Sequence, residues 1–302
     1  MRKAAAAALA ALLALASCME GPPEAPEARL IGAFRMDGLG RGDAGLSGLH
    51  VGEGGASLLA LDDRSFLHGA AILREGGRPV GIGPATEHAL RQADGRPMYA
   101  HDSEGMAVLP DGRVAVSYEG LNAIFLHDPA NRWIGPPLDR PVRLVRLSKN
   151  EGLEALAAFP DGGLLAISEA SRFGRHLVWR IDADGGWRPI GGLRSPGPFR
   201  PVGADIGPDG RLWLLERAWH LPLRFATRVR TLRVEPDRLS DPRTVLETRV
   251  GEWGNFEGIS VRAAPGGTVV ALVSDDNGLG FLPAHYAEFL VPDPLDTVRA
   301  RD

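Results

Sequence analysis

The chain has 302 residues, of which 44% are apolar, and a formal net charge of −4 at pH 7. A chain of this length can bury a substantial core, and strand proteins of this size often form a single domain. The acidic balance gives no reason to expect a nucleic-acid partner, and the single cysteine, Cys18, excludes an internal disulfide.

Residues 1–17 carry two cations, Arg2 and Lys3, followed by an Ala/Leu run that is too short to span a bilayer as a mature helix. This pattern predicts a secretory signal peptide. Its end, LASC, resembles the bacterial lipobox, in which Cys18 is lipidated and becomes the first mature residue. The resemblance implies a bacterial cell-envelope protein anchored to the membrane and facing the periplasm, and Met19 favours the outer membrane. A plain signal peptide is the alternative.

The mature chain is predicted to begin with a flexible tether at residues 18–28, because MEGPPEAPEA cannot build a core. Residues 29–302 are predicted to form one domain, as a monomer. Removing Arg2 and Lys3 with the signal leaves 32 basic and 38 acidic residues, a net charge of −6.

One phrase recurs along the domain: an apolar segment, a Gly-rich corner, a second apolar run and an acid. It occurs at residues 45–63, 104–119, 154–169, 204–216 and 257–276. The corner glycines, Gly55, Gly112, Gly162, Gly210 and Gly267, are separated by 57, 50, 48 and 57 residues. A period near 50 is typical of a four-stranded propeller blade.

Each phrase predicts a hairpin, because Asp-Gly supplies a turn with positive φ between two runs of strand length. Further candidate strands between the phrases are AIFLHD, VRLVRL, HLVWRID and TRVRTLRVE. The fold prediction is therefore all-β: a β-propeller of five or six four-stranded blades, a sixth being hidden within residues 64–101 or shared between the termini. Residues 284–291 are expected to pair with a strand near 29–35 and close the ring.

Acids stand at the same end of each phrase, and closure of the ring would bring them to one channel mouth. Crowded carboxylates raise one another's pKa or recruit a cation, and oxygen ligands from separate loops suit Ca²⁺ or Mg²⁺. We predict a Ca²⁺ site from Asp62, Asp102, Glu104, Glu154, Glu169, Glu257, Asp275 and Asp276, with Asn150, Asn255 and Asn277 as neutral donors. The alternative is that these acids cap strand ends or pair with arginines.

A small anionic or ester substrate would need cations beside those acids. Arg64, Arg172, Arg217 and His101 are the candidate substrate-binding residues, since each lies next to an acid-bearing phrase. Alternation in the segment LRFATRVRTLRVE instead predicts that Arg228 and Arg230 lie on the solvent side of an outer strand.

The common nucleophile and zinc signatures are missing. GLSGLH fails the G-x-S-x-G pattern because Leu49 follows Ser47-Gly48, there is no H-E-x-x-H, and Cys18 lies outside the domain. If the protein hydrolyses a substrate, water activated by a metal ion is the expected nucleophile.

The ordered set of these segments resembles the family called esterase-like activity of phytase, a phytase-like β-propeller group. The segments are GLSGL, LALDDR, DSEGMAVLPDG, NEGLEALAAFPDG, LLAISE, PDGRLWLLER, NFEGIS and LVSDDN. The resemblance covers residues 29–290 and implies an exported propeller that hydrolyses esters or phosphoesters, by analogy with calcium-dependent phytases. The chain departs from the family pattern at Asp62, at Ala155 and at Gly278, and Lys149 is its only lysine beyond the signal.

Two hypotheses of function follow. The first is a lipid-anchored, metal-dependent hydrolase of phosphoesters or esters that acts at the acidic channel mouth. The second is a non-catalytic binding or scaffold propeller of the cell envelope with a structural ion. A full set of basic residues able to bind phosphate would favour the hydrolase over the scaffold, and this sequence offers few such residues.

Overall fold

The computed structural model describes residues 28–36, 39, 45–92, 94–98, 102–128, 137–138, 152–221, 224–275 and 284–293. Within these ranges every regular element is a β-strand except for one 3₁₀ turn at Glu53–Gly55. No helix in these ranges is long and apolar enough to cross a membrane. The signal, the tether, Cys18 and the candidate strand VRLVRL lie outside the described residues.

The strands form five antiparallel sheets, which we call blades 1 to 5. Strand β1, Arg29–Arg35, belongs to the last of them. Blade 1 contains β2 Leu46–Val51, β3 Ser57–Asp62, β4 Phe66–Glu75, β5 Arg78–Ile82 and β6 Thr86–Ala89. Blade 2 contains β7 Ser103–Val108, β8 Val114–Tyr118 and β9 Ala123–His127. Blade 3 contains β10 Leu153–Ala158, β11 Leu164–Arg172, β12 Arg175–Ile181 and β13 Trp187–Leu193.

The last two blades follow the same plan. Blade 4 contains β14 Arg200–Ile206, β15 Leu212–His220, β16 Arg224–Val234 and β17 Leu239–Glu247. Blade 5 contains β18 Asn255–Ala264, β19 Gly267–Asp275 and β20 His285–Pro292, with β1 added at its outer edge. In each blade the recurring phrase forms the first two strands. The structure therefore confirms the all-β propeller, with five blades in the part of the chain that it describes.

The ring is closed by the two ends of the domain. Strand β1 pairs antiparallel with β20, with Ala33 opposite Ala287 and Phe34 opposite Tyr286. This pairing was expected from the sequence and is confirmed. Because β1 is added outside β20, β20 is paired on both sides and β1 becomes the outermost strand of blade 5.

The hairpin corners form as the Pro-Asp-Gly segments predict. At the corner of blade 2, Gly112 has φ of 85° and donates its N–H to Leu109 O at 2.9 Å. The Asp111 carboxylate accepts the N–H of Arg113 at 3.0 Å, which fixes the turn. Corresponding bonds tie Asp161 to Gly163 and Asp209 to Arg211.

The hydrophobic core lies between the blades. Five clusters of buried side chains each join two neighbouring blades, and together they complete the circle. Leu61 of blade 1 packs in one cluster with Val116 of blade 2, and Val273 of blade 5 packs in another with Leu49 of blade 1. This is why the second strand of each phrase is apolar at consecutive positions, since both of its faces are covered.

Buried ion pairs tie the outer strands to the core. Glu216 on β15 is fully buried and accepts hydrogen bonds from Arg228 Nε at 2.8 Å and from Arg230 Nε and Nη2, both at 2.6 Å. The prediction that Arg228 and Arg230 face solvent is wrong: their side chains are only 8% and 6% exposed. Glu288 on β20 is held in the same way by Arg74 and Arg262.

Candidate functional site

The first strand of every blade carries an irregularity in the same place. The antiparallel register slips by one residue after Leu46, Ser103, Leu153, Pro201 and Phe256. A bulge of this kind re-aims the extra side chain away from the regular pleat. The residues at these positions form what we call the inner ring: Ser47, Glu104, Glu154, Val202 and Glu257.

A small residue follows each bulge and lets the first strands approach one another. A Cβ added to Gly105 would lie 2.6 Å from the carbonyl oxygen of Glu154 in the next blade. A Cβ on Gly203 would lie 2.7 Å from the carbonyl oxygen of Glu257. Ala155, the position at which the chain departs from the family's Glu-Gly, is fully buried there. The axis is therefore narrow immediately beyond the inner ring.

The second strands contribute another circle of residues at the same end of the axis. Each stands where the second strand ends or just beyond it, or, in the longer β11 and β15, at the equivalent position. We call these residues the outer ring: Asp63, Glu119, Glu169, Arg217 and Asp275.

The two rings enclose a pocket of about 250 Å³, which we call the axial pocket. All residues of both rings line it except Val202, and Gly45 and Asp102 complete the lining. Eight of its side chains are carboxylates, drawn from blades 1, 2, 3 and 5. Blade 4 contributes the one cation among the lining residues, Arg217.

Burial and mutual repulsion change the acidity of these carboxyl groups. Burial, with the charges of Glu154 and Glu257 next, holds the pKa of Glu104 well above its ordinary value. Burial is also the main cause that raises the pKa of Glu154 to about 8, of Glu119 to about 7 and of Asp63 to about 6. Without a cation the pocket therefore retains protons near neutral pH.

Arg217 neutralises part of the negative charge on one side of the axial pocket. Its guanidinium binds Glu257, lies 3.5 Å from Glu169 and donates to Asn255 Oδ1 at 3.1 Å. Asn255 in turn donates to Glu257 Oε1 at 2.7 Å and to Asp275 Oδ2 at 3.4 Å. Burial lowers the pKa of Arg217, the surrounding carboxylates raise it, and the net direction is upward. Asn255 was expected as a neutral donor, and it lies within this network.

A close group of carboxyl oxygens lies in blade 2, among the residues that the structure describes. Asp102, Glu104 and Glu119, all of blade 2, each have an oxygen within 4.8 Å of the others. Asp63 Oδ1 is buried and has no hydrogen-bond partner in the described structure. Carboxylate oxygens grouped in this way are the ligands that Ca²⁺ and Mg²⁺ prefer.

The structure brings together six of the eight acids that the sequence singled out: Asp102, Glu104, Glu154, Glu169, Glu257 and Asp275. Asp62 points away from the pocket. Its carboxylate binds His68 Nε2 at 2.9 Å and accepts the N–H of Phe66 at 2.8 Å, so its oxygens serve the fold. We replace Asp62 by its neighbour Asp63 in the candidate site. Asp276, His101, Asn150 and Asn277 lie outside the described residues.

Of the arginines proposed for substrate binding, only Arg217 lines the axial pocket. Arg64 and Arg172 are exposed and are not among the lining residues. The candidate residues chosen from the sequence do not include Ser47, Asp63, Glu119 or Arg200. Position relative to the corner glycine identifies the first three. Asp63 and Glu119 follow the second apolar run of their phrases, as Glu169 does, and Ser47 precedes its corner as Glu104 and Glu154 precede theirs. Arg200 is identified only by its register opposite Arg217.

A second cavity, of about 580 Å³, lies at the opposite end of the first strands. Asp205 lines this cavity. Burial raises the pKa of Asp205 to about 7, and its carboxylate accepts the N–H of Val261 in blade 5 at 2.7 Å. Ser260 accepts the N–H of Val51 in blade 1 at 2.9 Å. These polar residues therefore join neighbouring first strands.

Comparison with known families decides the relationship of the chain. The family model described as Esterase-like activity of phytase, a phytase-like group, matches residues 42–278. The chain belongs to this family. The match includes all residues of both rings, and no curated protein matches the chain.

Solved structures resemble the chain at low identity. A luciferin-regenerating enzyme is 13% identical with a TM-score of 0.48, over 85% of this chain and 94% of that one. Virginiamycin B lyase from Staphylococcus aureus is 11% identical with a TM-score of 0.46, over 87% and 99%. The PQQ-bound aldose sugar dehydrogenase from Streptomyces coelicolor is 12% identical with a TM-score of 0.43, over 89% and 100%. At this similarity we take nothing about chemistry from them.

Proposed function

We propose that this phytase-like propeller is a divalent-cation-dependent hydrolase of phosphoesters or esters, with Ca²⁺ held in the axial pocket. One observation carries the proposal: among the described residues, eight carboxylates and a single arginine line a pocket of about 250 Å³. Like charges in such a space are costly unless protons or cations neutralise them. A bound divalent cation would relieve the repulsion among these acids.

The residues present suit a hard cation. Asp102, Glu104 and Glu119 would hold it, because their oxygens are already close together. Asp63 supports the assignment, since its buried Oδ1 lacks a protein partner in the described chain. Bound Ca²⁺ would supply Lewis-acid polarisation of a substrate oxygen and neutralise negative charge. Arg217 would remain the fixed positive group beside the bound substrate, held in place by Glu257 and Asn255.

The test combines metal binding with turnover. The purified protein is stripped with a chelator, and melting temperature and hydrolysis of an aryl phosphate and an aryl acetate are measured with and without added Ca²⁺. Recovery of both melting temperature and turnover supports the proposal. Glu104→Gln and Glu257→Gln should lose both responses. Glu75→Gln, an exposed acid on β4, is the matched control and should keep them.

A non-catalytic propeller with a structural ion is the second candidate, and the state of Arg217 favours it. The guanidinium is already bound by Glu257, Glu169 and Asn255, so it has few donors left for a phosphate. Recovery of melting temperature by Ca²⁺ without hydrolysis of either ester would select this candidate. No effect of Ca²⁺ on either measurement would reject both.

We also propose that the protein is attached to the bacterial envelope through a lipid on Cys18, which lies outside the described residues. The N-terminal sequence pattern supports this. Metabolic labelling with a fatty acid should mark the wild-type protein and leave Cys18→Ser unlabelled. Labelling that persists in Cys18→Ser would contradict the anchor.

A further inference from the structure

We propose that blade 4 is the wall that orients the substrate, and that the substrate is a phosphomonoester of an aromatic or otherwise apolar alcohol. The inference rests on the proposed function and names its substrate class. In it, Arg200 binds the anionic group and Trp219 packs against the organic group. Both act as positioning residues at the end of blade 4 that carries Arg217.

Blade 4 differs from the other blades at both ring positions. It carries Val202 in the inner ring and Arg217 in the outer ring, whereas blades 2, 3 and 5 carry an acid at each. Cation ligands are therefore concentrated on the other blades. The side of the axial pocket formed by blade 4 therefore suits a neutral or anionic group rather than a cation.

The second strand of blade 4 continues beyond the pocket. β15 pairs with β16 from Leu212 to His220 without any slip in register, so its side chains alternate regularly. Trp219 thus projects from the same face as Arg217, about 7 Å further out along the strand. Its neighbour in the register, Phe225, is only 6% exposed, while Trp219 itself is 60% exposed. An exposed indole on a regular strand, two residues beyond the pocket-lining Arg217, offers a flat surface on which an aromatic group can stack.

Arg200, at the start of β14, supplies positive charge on the neighbouring strand. It lies directly opposite Arg217 in the β14–β15 register. Two like charges in such a pair repel each other, and Glu169 offsets this by lying 3.8 Å from Arg200 and 3.5 Å from Arg217. The Arg200 side chain is 57% exposed, and none of the hydrogen bonds found among the described residues uses its guanidinium. Its planar set of donors is therefore available to a phosphate.

These contacts set the class of substrate. One available guanidinium and one exposed indole suit a single anionic group on a flat or apolar alcohol. A polyol bearing many phosphates would need several cations, but Arg217 is the only cation lining the described pocket, and its guanidinium is already bound. We therefore expect the protein to favour 1-naphthyl phosphate over glycerol 2-phosphate and over inositol hexakisphosphate.

The kinetic test compares kcat/KM for 1-naphthyl phosphate and glycerol 2-phosphate in the Ca²⁺-loaded protein. Trp219→Ala should lower the naphthyl-to-glycerol ratio of kcat/KM about tenfold, the size of a lost stacking contact. Trp219→Phe should restore most of the ratio. Arg200→Gln should raise KM for both esters. Leu73→Ala, which removes another exposed apolar side chain far from the mouth, is the control and should change neither.

A binding measurement separates failure of this inference from failure of the proposed function. Calorimetry with 1-naphthyl phosphonate, which is not hydrolysed, should show binding to the wild type and about tenfold weaker binding to Trp219→Ala. Weaker phosphonate binding in Trp219→Ala, without turnover of any ester by either protein, would reject hydrolase activity and support blade 4 as the substrate-orienting surface. Turnover with the same naphthyl-to-glycerol ratio of kcat/KM in wild type and Trp219→Ala would support hydrolase activity and overturn the role of blade 4.

The exposed side chains Phe173, Trp219 and Leu221 could alternatively contact a lipid surface. Sedimentation with vesicles of phosphatidylcholine and phosphatidylglycerol tests this occupant. Loss of vesicle binding in Trp219→Ala, with unchanged ester selectivity, would overturn the proposal. Unchanged vesicle binding together with altered selectivity would support it.

Discussion

Two groups of buried carboxylates in this propeller have opposite electrostatic surroundings. Inside the blades, Glu216 and Glu288 are fully buried, and each is bound by two arginines. Burial raises their pKa, but the hydrogen bonds and charges of the arginines lower it more, so the net direction is downward. On the axis, the buried Glu154 and the partly buried Glu104 lie among other acids and have pKa values above their ordinary range.

This difference in surroundings separates acids with a structural role from acids whose charge requires a bound cation. A buried carboxylate with its own arginines is internally neutralised and needs nothing from outside. A buried carboxylate among carboxylates is unstable in its charged form unless a cation binds. The same residue type therefore has a structural role in the blades and a binding role on the axis.

Glu216→Gln is expected to have the largest effect on stability. The change leaves the buried Arg228 and Arg230 guanidiniums without a countercharge, so the free energy of unfolding should fall by about 3–5 kcal/mol. Denaturant unfolding at pH 7 measures it. Ser195→Ala removes only one neutral donor to Glu216 and should cost far less. Equal losses in the two variants would contradict the comparison.

Glu154→Gln should behave in the opposite way. In chelator it should melt at or above the wild-type temperature, because it removes one of several repelling carboxylates. Ca²⁺ at a hundred times its dissociation constant should stabilise the wild type by about 2.7 kcal/mol and the variant far less. Thermal melts with and without Ca²⁺ measure both effects. A Glu154→Gln protein that is destabilised in chelator would show that this acid is structural.

Asp62 and Asp63 are adjacent in sequence, and they allow a structural acid and an acid of the axial pocket to be compared directly. Asp62→Ala should lower the free energy of unfolding by about 1–3 kcal/mol, because His68 and the Phe66 N–H lose their partner. Asp63→Ala should leave the unfolding free energy in chelator nearly unchanged and weaken stabilisation by Ca²⁺. The same denaturation series measures both, and the reverse pattern would exchange their roles.

Stability should also depend on pH in opposite directions for the two groups. The raised pKa of Glu119, about 7, and of Glu154, about 8, means that their protons stabilise the fold at low pH and that this stability is lost as pH rises through these values. In chelator the melting temperature should therefore fall by a few degrees between pH 5 and pH 8.

Glu216 and Glu288 contribute in the reverse sense. Their lowered pKa gives stability that is present above about pH 4.5 and is lost as pH falls through the folded-state value, so they add no slope between pH 5 and pH 8. Saturating Ca²⁺ should reduce the fall in melting temperature above pH 5. A melting temperature in chelator that rises from pH 5 to pH 8 would contradict the assignment of the axial acids.

Much of the fold and part of the site could be predicted from the sequence. The Asp-Gly corners, the apolar second runs and the spacing near 50 residues are local or periodic features, and they predicted the hairpins and the propeller correctly. The recurrence of acids predicted one mouth, and six of the eight chosen acids line it. Asp62 was misplaced because two adjacent acids on a strand point to opposite faces, and a one-residue offset reverses the assignment.

The sequence by itself determined the blade repeat, the ring closure by β1 and β20, and the supply of acids at one end of each phrase, because all three follow from short-range pattern. Only the tertiary structure decided which acids share a space and which have an arginine. Arg228 and Arg230 looked like surface residues by alternation, yet they neutralise Glu216 inside blade 4. Charge compensation acts through space between strands, and alternation along a single strand does not record it.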